Sequence, residues 1–247
     1  MTDSFFVPDW PAPSKVQSLV TTRCGGVSKP PYDEFNLGLH VGDDPIAVAV
    51  NRVWLRRYVP VEPFWLEQVH GIEVALAGVG GGVPVRADAS VSQESGVVCA
   101  ILTADCLPVL FCNDAGTVVA AAHAGWRSLA AGVLEATLAA MAVEPRRVMA
   151  WLGPAIGPGA FEVGKEVRAA FLMSDPDSYE AFVPYESEEK WLADIFALAR
   201  SRLMRAGVRQ EHIYGGGVCT VSNSGRFYSY RRDTVTGRFA SMVWLNA

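Results

Sequence analysis

The sequence predicts an α/β fold, a single domain over residues 1–247 in which mixed β-sheets pack against helices placed outside them. Three observations carry this expectation. Short, continuous apolar runs recur along the chain, as in strands covered on both faces. Stretches with helical spacing alternate with those runs. The chain has 247 residues and is 50% apolar, ample for a large core.

The elements follow in order. Asp44-Pro45 sets an N-cap residue ahead of a proline in the first turn, and Ile46, Val50, Val53 and Trp54 then fall on one helical face. The segment Gly78–Val85 (GVGGGVPV) reads as a surface loop. Val97–Leu102, Val109–Cys112 and Thr117–Ala122 read as strands, and Asn113-Asp114-Ala115-Gly116 as the turn of a hairpin joining the last two. A second helix follows Ser128, with Leu129, Val133, Thr137 and Met141 at helical spacing. Arg147–Leu152 is a further strand. A third helix is expected over Glu188–Ala206, with Leu192, Phe196, Ala199 and Leu203 aligned and Gly207 as its left-handed cap. Ile213–Gly217, Phe227–Tyr230 and Phe239–Leu245 complete the strands.

Composition excludes several roles. Net charge is −5 with no basic block, which argues against a nucleic-acid binder of the electrostatic kind. Within that balance, Phe227–Arg232 (FYSYRR) reads as a strand with snorkelling arginines, of which Arg231 or Arg232 would reach a ligand pocket. Asp105 interrupts the best apolar run, so no membrane span is expected. The start, MTDSFFVPDWPAPS, lacks the basic and apolar regions of a signal peptide. Five cysteines, at 24, 99, 106, 112 and 219, form no CxxC pair, which points to a reducing cytoplasm and not to a disulfide framework.

Three segments share one grammar, a strand-like stretch ending in a potential metal ligand at a Gly- or Pro-marked corner. Trp65–Gly71 (WLEQVHG) presents His70, Leu102–Pro108 (LTADCLP) presents Cys106, and Ala120–Arg127 (AAAHAGWR) presents His123. Two imidazoles and one thiolate suit zinc, with a fourth position open to water. The same residues also fit a bland reading, because cysteines often fill cores and strand-end histidines are often structural. Cys99, Cys112 and Cys219 are assigned to packing, and His212 to the surface.

The strings TTRCGGVS, FNLGLHVGDDP, EQVHG, TADCLPV, AAHAGWR, GPAIGP, FEVG and YSYRRDTVTGR occur in this order, over about residues 15–245. Together they resemble the YfiH family, also called peptidoglycan editing factor or "polyphenol oxidase/laccase-domain" proteins. Cys24 departs from the His or other polar residue that many members carry in TRCGG; that slot is not a metal ligand in the family. The resemblance implies one zinc held by His70, Cys106 and His123. It implies phosphorolysis of adenosine, inosine and methylthioadenosine, and deamination of adenosine. Phenol oxidation and removal of wrongly built peptidoglycan precursors have also been ascribed to the family.

The residues discriminate among these activities. A multicopper centre needs many imidazoles, and this chain has four histidines and no HxH pair. A single Cu²⁺ displacing zinc remains chemically open, since copper outcompetes zinc for such ligands. The HxE…PCxxC signature of the cytidine-type deaminases is absent. Phosphorolysis asks for an anion site, for which Arg23 with Gly25-Gly26, and Gly125-Trp126-Arg127 ahead of a helix, are the candidates. Trp126 would stack on a base or simply pack. Asn36 and Gln68 would bind the ligand edge or brace loops. Asp105 would shuttle a proton, orient a ligand or cap a turn. Two other classes stand beside this reading. One is a metal-free hydrolase with Cys106 as nucleophile and His123 or His70 as base. The other is a protein with a closed, purely structural metal site, which His40 would have to complete.

Overall fold

The computed structural model describes residues 4–78 and 84–246. The first three residues of the chain start and the interior of the Gly78–Val85 segment, residues 79–83, lie outside them. In chain order the first strands are β1 (Phe5–Phe6) and β2 (Val16–Thr21), then helix α1 (Pro45–Leu55), β3 (Leu66–Glu67), β4 (Val74–Leu76), β5 (Val85–Arg86) and β6 (Ala89–Ser92). The middle of the chain forms β7 (Val98–Thr103), β8 (Leu107–Asn113), β9 (Val119–Ala124), α2 (Trp126–Ala131), α3 (Val133–Met141) and β10 (Val148–Leu152). Then come β11 (Glu162–Gly164), α4 (Lys165–Ser174), β12 (Phe182–Tyr185), β13 (Ser187–Ala193), α5 (Ile195–Arg205), β14 (Ile213–Gly215), α6 (Tyr230–Asp233) and β15 (Phe239–Leu245).

Two sheets make the centre. One has the order β1-β2-β15-β7 and is antiparallel throughout. The other has the order β14-β10-β8-β9-β6-β4 and is mixed, its outer pairs β14–β10 and β6–β4 being parallel. Alternate side chains explain the stacking. Cys99 and Ile101 of β7 share a core with Leu110, Cys112, Val119 and Ala121 of the other sheet. Val98, Ala100 and Leu102 point the opposite way, onto Phe35, Leu37 and Leu55. The second face of the six-stranded sheet, with Phe111, Ala120 and Ala122, packs on Leu129, Leu134 and Leu198 of the helices. Both faces of both sheets are thus covered, and this is why their strands read as unbroken apolar runs. Smaller sheets, β11-β13-β12 and β3-β5, complete the fold.

Several sequence expectations hold. Asp44 accepts from the Ile46 amide and starts α1, and β8 and β9 form the expected hairpin, with Gly116 donating to Asn113. Gly207, at φ +95°, follows α5 in the left-handed conformation. Cys99 and Cys112 are buried in the core.

Other expectations are corrected. The apolar face of α1 is not its buried face: Ile46 is 72% and Val53 63% exposed, while Val48, Asn51 and Leu55 are buried. Asn51 sets this rotation. Its side chain donates to Ser28 Oγ and to the carbonyls of Glu34 and Asn36, and accepts from the Val27 amide. A buried amide with four partners outweighs apolar residues left in water. The second helix begins at Trp126 and is broken at Gly132, whose φ of +106° ends α2 and starts α3. The predicted third helix is half strand. Ser187–Ala193 lies between β11 and β12, and α5 starts only after Asp194 caps the amides of Phe196 and Ala197. Phe227–Tyr230 is not a strand, and β15 is flanked by β2 and β7. Phe227 and Tyr228 are buried in the core instead, Tyr230 is exposed, and Ser229 caps α6.

Asn51→Ala should lower unfolding free energy by roughly 2–4 kcal/mol, because it strands several buried partners. Val53→Ser should change it by less than about 0.5 kcal/mol. Chemical denaturation of both variants checks this; the reverse ranking would mean that α1 buries its apolar face.

Candidate metal centre and cavity

Each of the three candidate ligands is delivered by a different device. His70 sits three residues past the end of β3, with φ +61°. Cys106 lies between β7 and β8, directly after Asp105, whose φ is +89°. His123 is in β9, one residue from its end. Positive φ in non-glycine residues costs about 1–3 kcal/mol and persists only where the surroundings enforce it. The enforcing groups are visible. Asp88 accepts from the amides of Val69, His70 and Gly71 at 3.2, 2.9 and 2.6 Å. The Asp105 carboxylate accepts from Thr220 Oγ1 (2.6 Å), Ser229 Oγ (3.1 Å) and the Arg231 amide (2.6 Å).

The ligand atoms of His70, Cys106 and His123 lie within 4.8 Å of one another, and Cys106 Sγ is 3.8 Å from His70 Nε2. Tetrahedral zinc, with bonds of about 2.0–2.3 Å, sets neighbouring ligand atoms roughly 3.5 Å apart, so the donor set fits. Asp88 Oδ1 lies 2.8 Å from His123 Nδ1, which fixes the ring and leaves Nε2 for a metal. Gly125 gives these side chains room: a Cβ there would be 3.0 Å from both Cys106 Sγ and His70 Cδ2. Among the described residues no fourth protein ligand joins the group. His40 lines the cavity from the short 3-10 turn Leu39–Val41 and is not one of the group.

The electrostatics prepare the site for a cation. Burial disfavours charge on both Cys106 and His123, but each stabilises the charge of the other. The thiol is brought down to about 6 and the imidazole up to about 9. Burial also opposes ionisation of Asp88, yet its hydrogen bonds from His123 and the Gly71 and His70 amides win and hold it below the usual carboxylate value. His40 is shifted down, by burial first and then by Arg238, Arg52 and His123. By contrast, burial pushes Cys99 and Cys112 up to about 12, as expected of thiols that only pack.

A cavity of about 470 Å³ opens over the three ligands. Four other sequence candidates line it, namely Gln68, Asp105, Trp126 and Arg127. Gln68 is also tied to the β7 backbone, donating to Leu102 O and accepting from Leu102 N, both at 2.9 Å. Arg127 is exposed and lies 4.3 Å over the Trp126 ring. Arg23 and Asn36 are not among the lining residues. The Arg23 guanidinium holds Asp33 and the Ser224 carbonyl, and Asn36 braces Gly38, Asp43 and the Arg238 amide. Arg231 reaches the cavity, whereas Arg232 is turned to the carbonyls of Thr220, Val221 and Phe227. Cys219 is partly exposed and accepts from the Gly157 amide. His212 lies away from the cavity, in the 3-10 turn Gln210–His212.

Sequence reasoning missed Asp88, Thr103, Tyr230 and Arg238. Asp88 carries a weak signal, as a lone acid in the small-residue stretch ADASVS. Arg238 closes the YSYRRDTVTGR string but stands far in sequence from every ligand.

Residues 17–246 match the family described as multi-copper polyphenol oxidoreductase laccase. The chain is 55% identical over 243 residues to a purine nucleoside phosphorylase of Pseudomonas aeruginosa, covering 98% of this chain and 99% of that protein. It is 54% identical over 241 residues to the purine nucleoside phosphorylase YfiH of Escherichia coli, covering 97% and 98%. The chain belongs to the YfiH family. A crystal structure of a Neisseria meningitidis protein matches it with a TM-score of 0.95 at 51% identity, over 99% of this chain and all of that one. YfiH of Bacillus licheniformis matches with a TM-score of 0.87 at 27% identity, over 94% and 93% of the two chains. The family description names several coppers, yet this YfiH-family chain has four histidines and, among its described residues, one three-ligand cluster.

Asp88→Asn should weaken metal affinity about 10- to 100-fold, because the amide orients His123 less firmly and does not stabilise its ligating form. Competition against a chromophoric chelator reads this, and unchanged affinity would remove Asp88 from the site. Metal loading should also release protons. In the metal-free site at about pH 7.5, Cys106 (about 6) is a thiolate and His123 (about 9) is protonated, so binding must expel about one proton from His123. The release should fade above about pH 9. Calorimetry in buffers of different ionisation enthalpy measures it, and no release at pH 7.5 would mean a neutral His123.

Proposed function

We propose that this chain is a zinc-dependent purine nucleoside phosphorylase. It would act on adenosine, inosine and methylthioadenosine with phosphate, and deaminate adenosine as a second activity. The observation that carries this reading is the composition of one cavity. Its floor holds His70, Cys106 and His123; one wall is apolar, with Trp126, Ile156, Phe161 and Ile195; and Arg127, Arg231 and Arg238 bring cationic groups to it. Pockets of this size and mixed lining suit a nucleoside, and the naming of the relatives agrees.

A zinc ion held by the three side chains would supply Lewis-acid polarisation of a ligand oxygen. The chain's own residues would do the rest. The apolar wall receives the purine face, with Trp126 available for stacking. Arg127, at the exposed mouth, attracts anions into the cavity. In phosphorolysis a phosphate oxygen bonds to C1′ as the C1′–N9 bond breaks and the base leaves with a proton. The rigid corners at His70 and Asp105 hold the reacting groups in place. Deamination instead brings water to C6 of adenine, and so asks for a second pose of the same ligand. Five free cysteines support a reducing compartment, and we place the protein in the cytoplasm. No helix among the described residues is long and apolar enough to cross a membrane.

A second reading is favoured by one contact chain, Asp88 to His123 to Cys106. It has the order of groups found in a cysteine hydrolase, acting for example on mis-built peptidoglycan precursors. Metal separates the two: stoichiometric zinc that protects Cys106 from alkylation leaves no free nucleophile.

Metal-quantified protein incubated with adenosine, with and without phosphate, tests the main reading. Adenine should form only with phosphate, and inosine should form in both mixtures. No product in either mixture at high enzyme would overturn it. A copper-free preparation that oxidises phenols strongly would instead favour an oxidase.

A further inference from the structure

Among the arginines near the cavity, Arg238 differs in how its donors are used. Arg231 spends its guanidinium on the Ala160 and Glu162 carbonyls, at 3.2 and 3.0 Å. Arg127 is exposed at the rim. Arg52 gives Nε and one terminal nitrogen to Leu37 O. Arg238 is partly buried and lines the cavity. One terminal nitrogen donates to the carbonyls of Thr236 and Gly237, both at 2.9 Å. Its Nε and second terminal nitrogen have no partner among the described residues, and neither does the residue have a carboxylate in salt-bridge contact there. A guanidinium so placed presents a two-donor fork to the cavity, with Cys106 and Asp105 as its nearest opposite charges and no direct ion pair.

The arm is aimed. The Arg238 amide donates to Asn36 Oδ1 at 2.8 Å, and β15 fixes the next residue. Gly38 lets the stem pass, since a Cβ there would lie 2.9 Å from Arg238 Cγ.

We infer that the Arg238 guanidinium forms the subsite for free inorganic phosphate, on the β7–β15 side of the cavity. This rests on the phosphorylase reading and deepens it. The phosphate enters beside the metal centre from the strand side, and the purine lies against the Trp126–Phe161 side. Arg238 therefore governs phosphate recognition, while Asn36 is a positioning residue that acts through it.

Calorimetric titration of the zinc-loaded protein with inorganic phosphate tests this, alongside phosphorolysis and deamination rates. Arg238→Gln should weaken phosphate binding and raise the phosphate KM by about tenfold or more. The adenosine KM and phosphate-independent deamination should stay within about threefold. Arg238→Lys, which keeps the charge and loses the fork, should fall between the two. Arg146→Gln, on the exposed surface, controls for general loss of positive charge. Unchanged phosphate affinity in Arg238→Gln overturns the inference, as does a wild-type protein that shows no phosphate binding. Arg238-dependent phosphate binding without any phosphorolysis would keep the subsite and remove the phosphorylase reading.

Discussion

The carboxylate of Asp88 is the joint on which the site is built. It is fully buried and accepts three consecutive backbone amides, of residues 69–71, while also holding the His123 ring. Two imidazoles from distant parts of the chain thereby share one anchor. Three amide donors and an imidazole offset the desolvation of a buried charge. The same contacts hold the backbone of His70 in the left-handed region, a conformation that this residue does not favour on its own.

A parallel arrangement serves the thiol. Asp105 occupies the strained corner, and its side chain faces Thr220, Ser229 and the Arg231 amide. Its acidity is spent on tying the β7–β8 turn to the 220–231 segment, and the neighbouring Cys106 is left facing the imidazoles. The local strain is supported by the layers below, where two sheets covered on both faces leave the strand ends little freedom. Gly125 completes the geometry by omission, because any side chain at that position would push between the thiol and His70.

Charge is divided across the cavity. Negative character is concentrated in Cys106 and the Asp88 behind it, where a metal cation fits. Positive character, in Arg127, Arg231 and Arg238, lies on the surrounding walls.

Much of this was legible in the residues alone. The three candidate ligands, the strands β7 to β10 and β15, and the α1 cap show in local patterns: side chains able to bind metals, turn residues and capping. Other features were not legible. The rotation of α1 depends on Asn51 finding partners at residues 27, 28, 34 and 36. The strand at Ser187–Ala193 depends on β11 and β12 on either side of it. Asp88 and Arg238 carry no local pattern, because their partners lie 17 to 35 residues away in one case and about 200 in the other. The sequence by itself determined which chemical groups this protein owns and which segments can be strand or helix, since those preferences act within a few residues. Only the tertiary structure decided which groups meet, which donors are left free and which face is buried, because those are set by partners competing across the whole chain.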